Sequence, residues 1–137
     1  MLSSVTVKDH MLKTPVTIAA NAPLADAVQS ILRNKVSGIC VIDSNKKLLG
    51  VLSEIDCLRA FLTATYNSGS VGSVADYMTT DVDVVHLQDN IINVANDMMN
   101  KSQRRRPVVD NGKLVGQISC RQLLLAVDEF SRKESYA

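Results

Sequence analysis

Tryptophan is missing from this chain, and tyrosine and phenylalanine bring aromatics to only 4% of its residues. Aliphatic side chains must therefore fill any core, and there is little aromatic surface on which nucleic-acid bases could stack. An excess of either charge is missing too: 15 Lys and Arg stand against 14 Asp and Glu, a formal net charge of +1. That balance gives no long-range pull toward nucleic acid or an acidic membrane surface. No apolar run reaches the ~18 residues of a membrane span, and the N-terminal MLSSVTVKDHM has no apolar signal core. The expectation is a soluble, cytoplasmic protein. The three cysteines, Cys40, Cys57 and Cys120, are odd in number and form no CxxC pair. Cys40 sits inside the apolar run ICVI, as a small buried hydrophobe does. The only histidines, His10 and His86, lie far from the cysteines, so no metal site is expected. Both are read as surface residues without a role. The chain carries no phosphate-cradling glycine loop and no nucleophile–base pairing, so it is not expected to be an enzyme.

What the chain has is an internal repeat. Asp9-His10-Met11 lies 67 positions before Asp76-Tyr77-Met78. At that offset Thr17-Ile18 meets Val84-Val85, Ile31-Leu32 meets Met98-Met99, and Val41-Ile42-Asp43 meets Val108-Val109-Asp110. One extra residue near Lys46-Lys47 drops the offset to 66, and LLGVLSEIDCLRAF then lies against LVGQISCRQLLLAV. Gly50 meets Gly116, and Ser53 meets Ser119. The copies cover 1–64 and 74–130, with a small polar linker at 65–73 (TYNSGSVGS) and a polar tail at 131–137.

Each copy reads as β-α-β-β-α. A β-prone stretch comes first, Val16–Ile18 or Asp83–His86. Leu24, Ala27, Val28, Ile31 and Leu32 then form an apolar stripe at helical spacing, as do Ile91, Ile92, Val94, Ala95, Met98 and Met99. Met98 and Met99 are read as core. Two strands pair as a hairpin, Gly38–Ile42 with Leu48–Leu52 and Pro107–Val109 with Leu114–Ile118, with Asn45 and Asn111-Gly112 in the turns. Glu54–Ala64 and Cys120–Phe130 are the closing helices. One copy of about sixty residues is marginal alone. The fold class is therefore α/β (α+β), with the two copies packed as one pseudo-twofold unit.

VKDHM with TPVTI, SGICVID with KKLLGVLSEID, then VADYM, RRRPVVD and KLVGQIS recur in order. This succession resembles a pair of CBS (cystathionine-β-synthase) domains, a Bateman module, over about residues 5–130. The resemblance implies two clefts, dimerisation into a disc, and binding of adenosine derivatives that regulate an attached or partner protein.

The stretch GVLSEID, Gly50 to Asp56, carries the site question. Ser followed three residues on by Asp is a capping box, and Ser119 with Gln122 makes the same box in the second copy. Capping is thus served equally by Asp56 and Gln122. A ribose is not, because a carboxylate is acceptor-only and can take both protons of a cis-diol. In the family, the Asp ending this pattern holds the ribose. Ser53 and the amides near Ile55 suit a phosphate at a helix N-terminus. Arg104, Arg105 and Arg106 offer it cations, and alternation along a strand favours Arg105.

The resemblance therefore implies a ligand site of Ser53, Ile55, Asp56, Val84, Arg104, Arg105 and Pro107, with backbone groups around Asp83-Val84 reading the adenine edge. Asp83 departs from the apolar residue or proline common at its position. A second, weaker cleft takes Thr14, Pro15, Val16, Ser37, Gly38, Ser119, Arg121 and Gln122, without the ribose carboxylate. Taken alone, three arginines are more often a solvated strand edge, and an Asp at this place is more often a plain cap.

The reading is a regulatory sensor of AMP, ADP or ATP, with S-adenosylmethionine a less suited ligand and no obligatory cofactor. The partners expected are a second copy of the chain and an unidentified regulated protein, with neither membrane nor nucleic acid. The alternative is a ligand-free dimerisation or docking module with vestigial clefts. No effector domain is visible, so the module acts in trans or the chain is a piece of something longer; the initial Met favours a true start.

Overall fold

Local patterning sets the order of elements in the computed structural model, which describes residues 2–67 and 69–136. After a single 3₁₀ turn at Leu2–Ser4 come α1 (Val7–His10), β1 (Thr17–Ala19), α2 (Leu24–Asn34), β2 (Gly38–Ile42), β3 (Leu48–Ser53) and α3 (Glu54–Asn67). The same succession returns as α4 (Val74–Tyr77), β4 (Val85–His86), α5 (Ile91–Asn100), β5 (Arg105–Asp110), β6 (Lys113–Ser119) and α6 (Cys120–Tyr136). The strands form two three-stranded sheets, β1-β2-β3 and β4-β5-β6. In each sheet the first pair is parallel, across the helical crossover, and the second is an antiparallel hairpin. Asn111 (φ 52°) and Gly112 (φ 79°) both adopt the left-handed conformation that a tight two-residue hairpin turn requires.

Several elements differ from the sequence expectation. Helix α3 runs three residues past Ala64 into the expected linker, and α6 continues through the expected polar tail to Tyr136. An Asp128–Arg132 pair (2.9 Å) at i,i+4 supports that last stretch. Strand β4 is only Val85–His86, not Asp83–His86, and Pro107 supplies the reason. In the first sheet Thr17 pairs with Cys40, and the Cys40 N–H donates to the Val16 carbonyl (3.1 Å). Sixty-seven residues on, Pro107 stands in the place of Cys40 and has no N–H to give. The apolar stripes are narrower than read. Leu24, Ala27, Ile31, Ile91, Val94 and Met98 are buried, but Leu32 (68% exposed), Ile92 and Met99 (70% exposed) face outward. Leu32 and Met99 occupy the same repeat position, one step of the helix beyond the buried Ile31 and Met98.

The chain packs as two compact units, residues 15–82 and residues 1–14 with 83–137. These cut the chain at different places from the sequence repeats, because the short helices exchange. Val7 of α1 is fully buried with Val85, Ile91, Met98, Val108 and Ile118 of the second copy. Val74 of α4 is fully buried with Leu24, Ile31, Val41 and Leu52 of the first. Backbone bonds fasten both exchanges, Leu12 with Gln117 (2.8 and 2.9 Å) and Thr79 with Val51 (2.8 and 2.9 Å).

Candidate functional site

Helix α3 begins where β3 ends, so its first residues are positioned by the β2–β3 ladder. Gly38 pairs with Ser53, and the Glu54 N–H donates to the Ser37 carbonyl (3.0 Å). The Ser53 N–H donates to Asp56 Oδ2 (2.9 Å), and the Asp56 N–H donates to Ser53 Oγ (3.1 Å), closing the capping box. Asp56 is 7% exposed. Its other oxygen, Oδ1, faces Arg59 Nη1 at 3.2 Å, a largely exposed i,i+3 partner that sequence reasoning did not name. Such an exposed partner holds weakly and yields readily to a competing donor.

The second unit repeats the box at the start of α6. Gln122 Oε1 accepts from the Ser119 N–H (2.9 Å) and the Ser119 hydroxyl (3.2 Å), and the Gln122 N–H donates to Ser119 Oγ (3.3 Å). Here one amide oxygen takes both bonds, whereas Asp56 keeps a second oxygen outside its box. Thr6 with Asp9 and Ser73 with Asp76 close further boxes on α1 and α4. Among the aspartates of these three boxes only Asp56 is buried.

The three arginines separate. Arg104 is exposed and precedes β5; Arg105 is half-buried; Arg106, on the opposite strand face, is 5% exposed. Arg106 does not offer its charge to a ligand, because Nη2 donates to Asp97 Oδ2 (2.6 Å) and Nε donates to Gln103 Oε1 (2.7 Å). Gln103 Nε2 in turn donates to Asp83 Oδ2 (2.6 Å), and Lys101 Nζ lies 3.5 Å from both Asp83 Oδ1 and Asp97 Oδ2. Asp83, Gln103, Arg106, Asp97 and Lys101 thus close a ring in which two carboxylates and two cations cancel. The Gln103 hydrogen bond, with the Lys101 and Arg106 charges, holds the Asp83 carboxyl below its ordinary range. The Arg106 hydrogen bond does the same for Asp97, aided by Lys101. Val84 lines an open depression of about 220 Å³ with Asn90, Asp97 and Arg106.

Of the residues named from sequence, Ser53, Ile55, Asp56, Val16, Ser37 and Gly38 belong to the unit of 15–82. Val84, Arg104, Arg105, Pro107, Thr14, Ser119, Arg121 and Gln122 belong to the other. Within its unit each helix start meets the strand beside it. Ser37-Gly38 lie against Ser53-Glu54, Arg105 pairs with Ser119, and the Cys120 N–H donates to the Arg104 carbonyl (2.9 Å). The ring was not read from sequence, and its signal is faint: polar Asp83, Gln103 and Arg106 stand where the first copy has Val16, Val36 and Ile39. Burial, then the Asp56 and Glu54 charges, push the Cys57 thiol up, which makes it a poor nucleophile. Among the described residues no group of three or more His, Cys, Asp or Glu could hold a metal ion. No helix there is long and apolar enough to cross a membrane.

The chain is 30% identical over 113 residues to the protein MJ1225 of Methanocaldococcus jannaschii, an alignment covering 82% of this chain and 39% of that one. This chain therefore spans well under half the length of that curated relative. The structure of AcuB from Vibrio cholerae superposes with a TM-score of 0.85 at 26% identity, covering 97% of both chains. That of CBSX2 from Arabidopsis thaliana, in complex with AMP, superposes with a TM-score of 0.83 at 30% identity, covering 92% of this chain and 98% of that one. The family model of the CBS domain matches twice, at residues 7–63 and 74–129. With both repeats matched, over most of the sequence, the chain belongs to the CBS domain family.

Proposed function

We propose that this chain is a regulatory module that binds an adenosine-containing nucleotide, AMP, ADP or ATP, and passes the bound state to a separate protein. The observation that carries the reading is the asymmetry of the two helix-start boxes. One ends in a buried carboxylate whose second oxygen lies outside the box, paired with the exposed Arg59, and the other in a carboxamide whose oxygen is already used twice. Within the unit of 15–82 the proposed ligand residues are Ser53, Ile55 and Asp56; those proposed in the other unit are Val84, Arg104, Arg105 and Pro107. Asp56 takes the ribose hydroxyls and the N-terminus of α3 a phosphate. The AMP complex of CBSX2 supports the ligand class. S-adenosylmethionine ranks behind, because a cationic sulfonium gains nothing from Arg104 or Arg105. The role is binding rather than catalysis, and the cytoplasm is the proposed compartment.

Thermal unfolding with each nucleotide tests this. A ligand at a hundredfold excess over Kd stabilises by about 2.7 kcal/mol, which raises the midpoint at roughly 2–8 °C per kcal/mol. Asp56→Asn keeps an acceptor for the Ser53 N–H and loses the carboxylate. It is expected to unfold near the wild-type temperature and to lose the shift. No shift with any nucleotide, or an undiminished shift in Asp56→Asn, would overturn the reading.

A second reading, a docking or dimerisation module, has its own observation. Leu32, Leu58 and Phe61 line an apolar groove of about 280 Å³ between α2 and α3. Leu58 and Leu62 are 63% and 58% exposed. We propose that a second copy covers this face. Sedimentation of wild type and Leu58→Glu distinguishes a dimer from a monomer, and a wild-type monomer would refute it.

A further inference from the structure

Asp9, Asp56, Asp76 and Gln122 each close a helix-start box, and what stands three positions beyond them differs. Asp9 and Asp76 are exposed, take their box bonds on Oδ2, and are followed at that distance by Leu12 and Thr79. An exposed carboxylate is solvated and needs no cation. Gln122 carries no charge, and Leu125 stands three residues beyond it. Asp56 alone of these joins a charge to burial, and it alone has a basic residue at that distance. Arg59 Nη1 donates to Asp56 Oδ1 at 3.2 Å. A buried carboxylate without a partner is costly. The fold itself does not ask for the arginine, since α6 starts from the same box with Leu125 in the place of Arg59. The pair is lopsided: the Asp56 side chain is 10% exposed and that of Arg59 66%. The carboxylate is fixed by its box, while the guanidinium rides on a long, solvated side chain.

We infer that Arg59 is a specificity-determining residue of the proposed nucleotide site, because it competes with the ribose hydroxyls for Asp56 Oδ1. The inference rests on the nucleotide reading above and adds how sharply that site distinguishes a ribose. Both residues lie on α3, within the unit of 15–82. A ribonucleotide must displace the guanidinium. A nucleotide without the hydroxyls leaves it in place, so the carboxylate is not stranded and the missing diol is penalised less. An exposed pair is worth up to about fivefold in an equilibrium constant, and Arg59 lowers the preference for a ribose by that factor.

The test is the ratio of affinities for AMP and its 2′,3′-dideoxy analogue, measured by calorimetry on the full chain. In Arg59→Leu, which installs the second copy's residue, AMP has no guanidinium to displace. The ratio is expected to rise about two- to fivefold over wild type. Arg59→Lys keeps a cation of poorer fit and is expected to fall between the two. A lost attraction for the phosphate, or a lost stability, would weaken both nucleotides alike and leave the ratio unmoved. Where the dideoxy analogue binds too weakly to titrate, adenosine takes its place. It has no phosphate to attract, and it is expected to bind Arg59→Leu about two- to fivefold more tightly than wild type. An unchanged or lower ratio in Arg59→Leu, or in its place an unchanged or lower affinity for adenosine, overturns this inference and leaves the nucleotide reading standing. A wild type that binds none of AMP, ADP and ATP overturns both.

Discussion

Replacing Gly50 by alanine asks whether the glycine of GVLSEID serves the crossing of α4 over the first copy. A Cβ at Gly50 would stand 2.5 Å from the Thr79 carbonyl oxygen and 3.2 Å from Met78 Sδ. The first distance is to backbone, so the Thr79 segment must shift. That segment is fastened to Val51 by two backbone hydrogen bonds, at 2.9 and 2.8 Å. Overpacking of this kind costs about 1–3 kcal/mol, and disturbing the two bonds adds up to about 1 kcal/mol each. Against this, alanine restricts the unfolded chain and returns about 0.4–1 kcal/mol. At their mid-values these terms leave a loss of about 2 kcal/mol, read by urea unfolding with linear extrapolation. Gly69→Ala is the control, since nothing lies within 4 Å of its Cβ position. Gly116→Ala should behave like Gly50→Ala, because its Cβ would meet Met11 Sδ at 2.6 Å and the Leu12 carbonyl oxygen at 2.8 Å. A loss below about 0.5 kcal/mol, the level of an ordinary surface change, would refute the reasoning and free Gly50 for another role.

Further outcomes follow from burial and from charge. Met98→Ala, fully buried, should cost about 2–5 kcal/mol, while the exposed Met99→Ala should stay within about 0.5 kcal/mol in urea unfolding of the monomer. Ser53→Ala removes the acceptor for the Asp56 N–H and should cost about 0.5–2 kcal/mol by the same assay. Because the Arg106 hydrogen bond lowers the folded-state pKa of Asp97, its contribution is complete above the unfolded value of about 3.9 and is lost as pH falls through the lower folded value. Unfolding followed from pH 5 downward should therefore be less steep in Asp97→Asn, and an identical slope would show that the pair does not form.

The repeat, the order of elements and both helix-start boxes could be read from the residues. Leu24, Ala27 and Ile31 share a helix face by their spacing alone, and Ser53 reaches Asp56 within one helical turn. The candidate site was legible only where it is local. Arg106 looks like its neighbours Arg104 and Arg105 in sequence, yet it is buried against Asp97, which lies on the preceding helix. The brevity of β4 was hidden for a similar reason, since it is set by Pro107 on another strand.

The sequence by itself determined two β-α-β-β-α copies and a capping carboxylate in one where the other has an amide, because turns, periodicity and i,i+3 hydrogen bonds depend on close neighbours. Only the tertiary structure decided which copy each short helix completes, which arginine is buried in an ion pair with a carboxylate, and which member of each apolar stripe faces outward. Those outcomes depend on residues brought together from far apart in the chain: Val7 beside Val108, Val74 beside Leu24, and Asp83 beside Gln103. Burial and backbone pairing select such contacts only after the strands have found their partners.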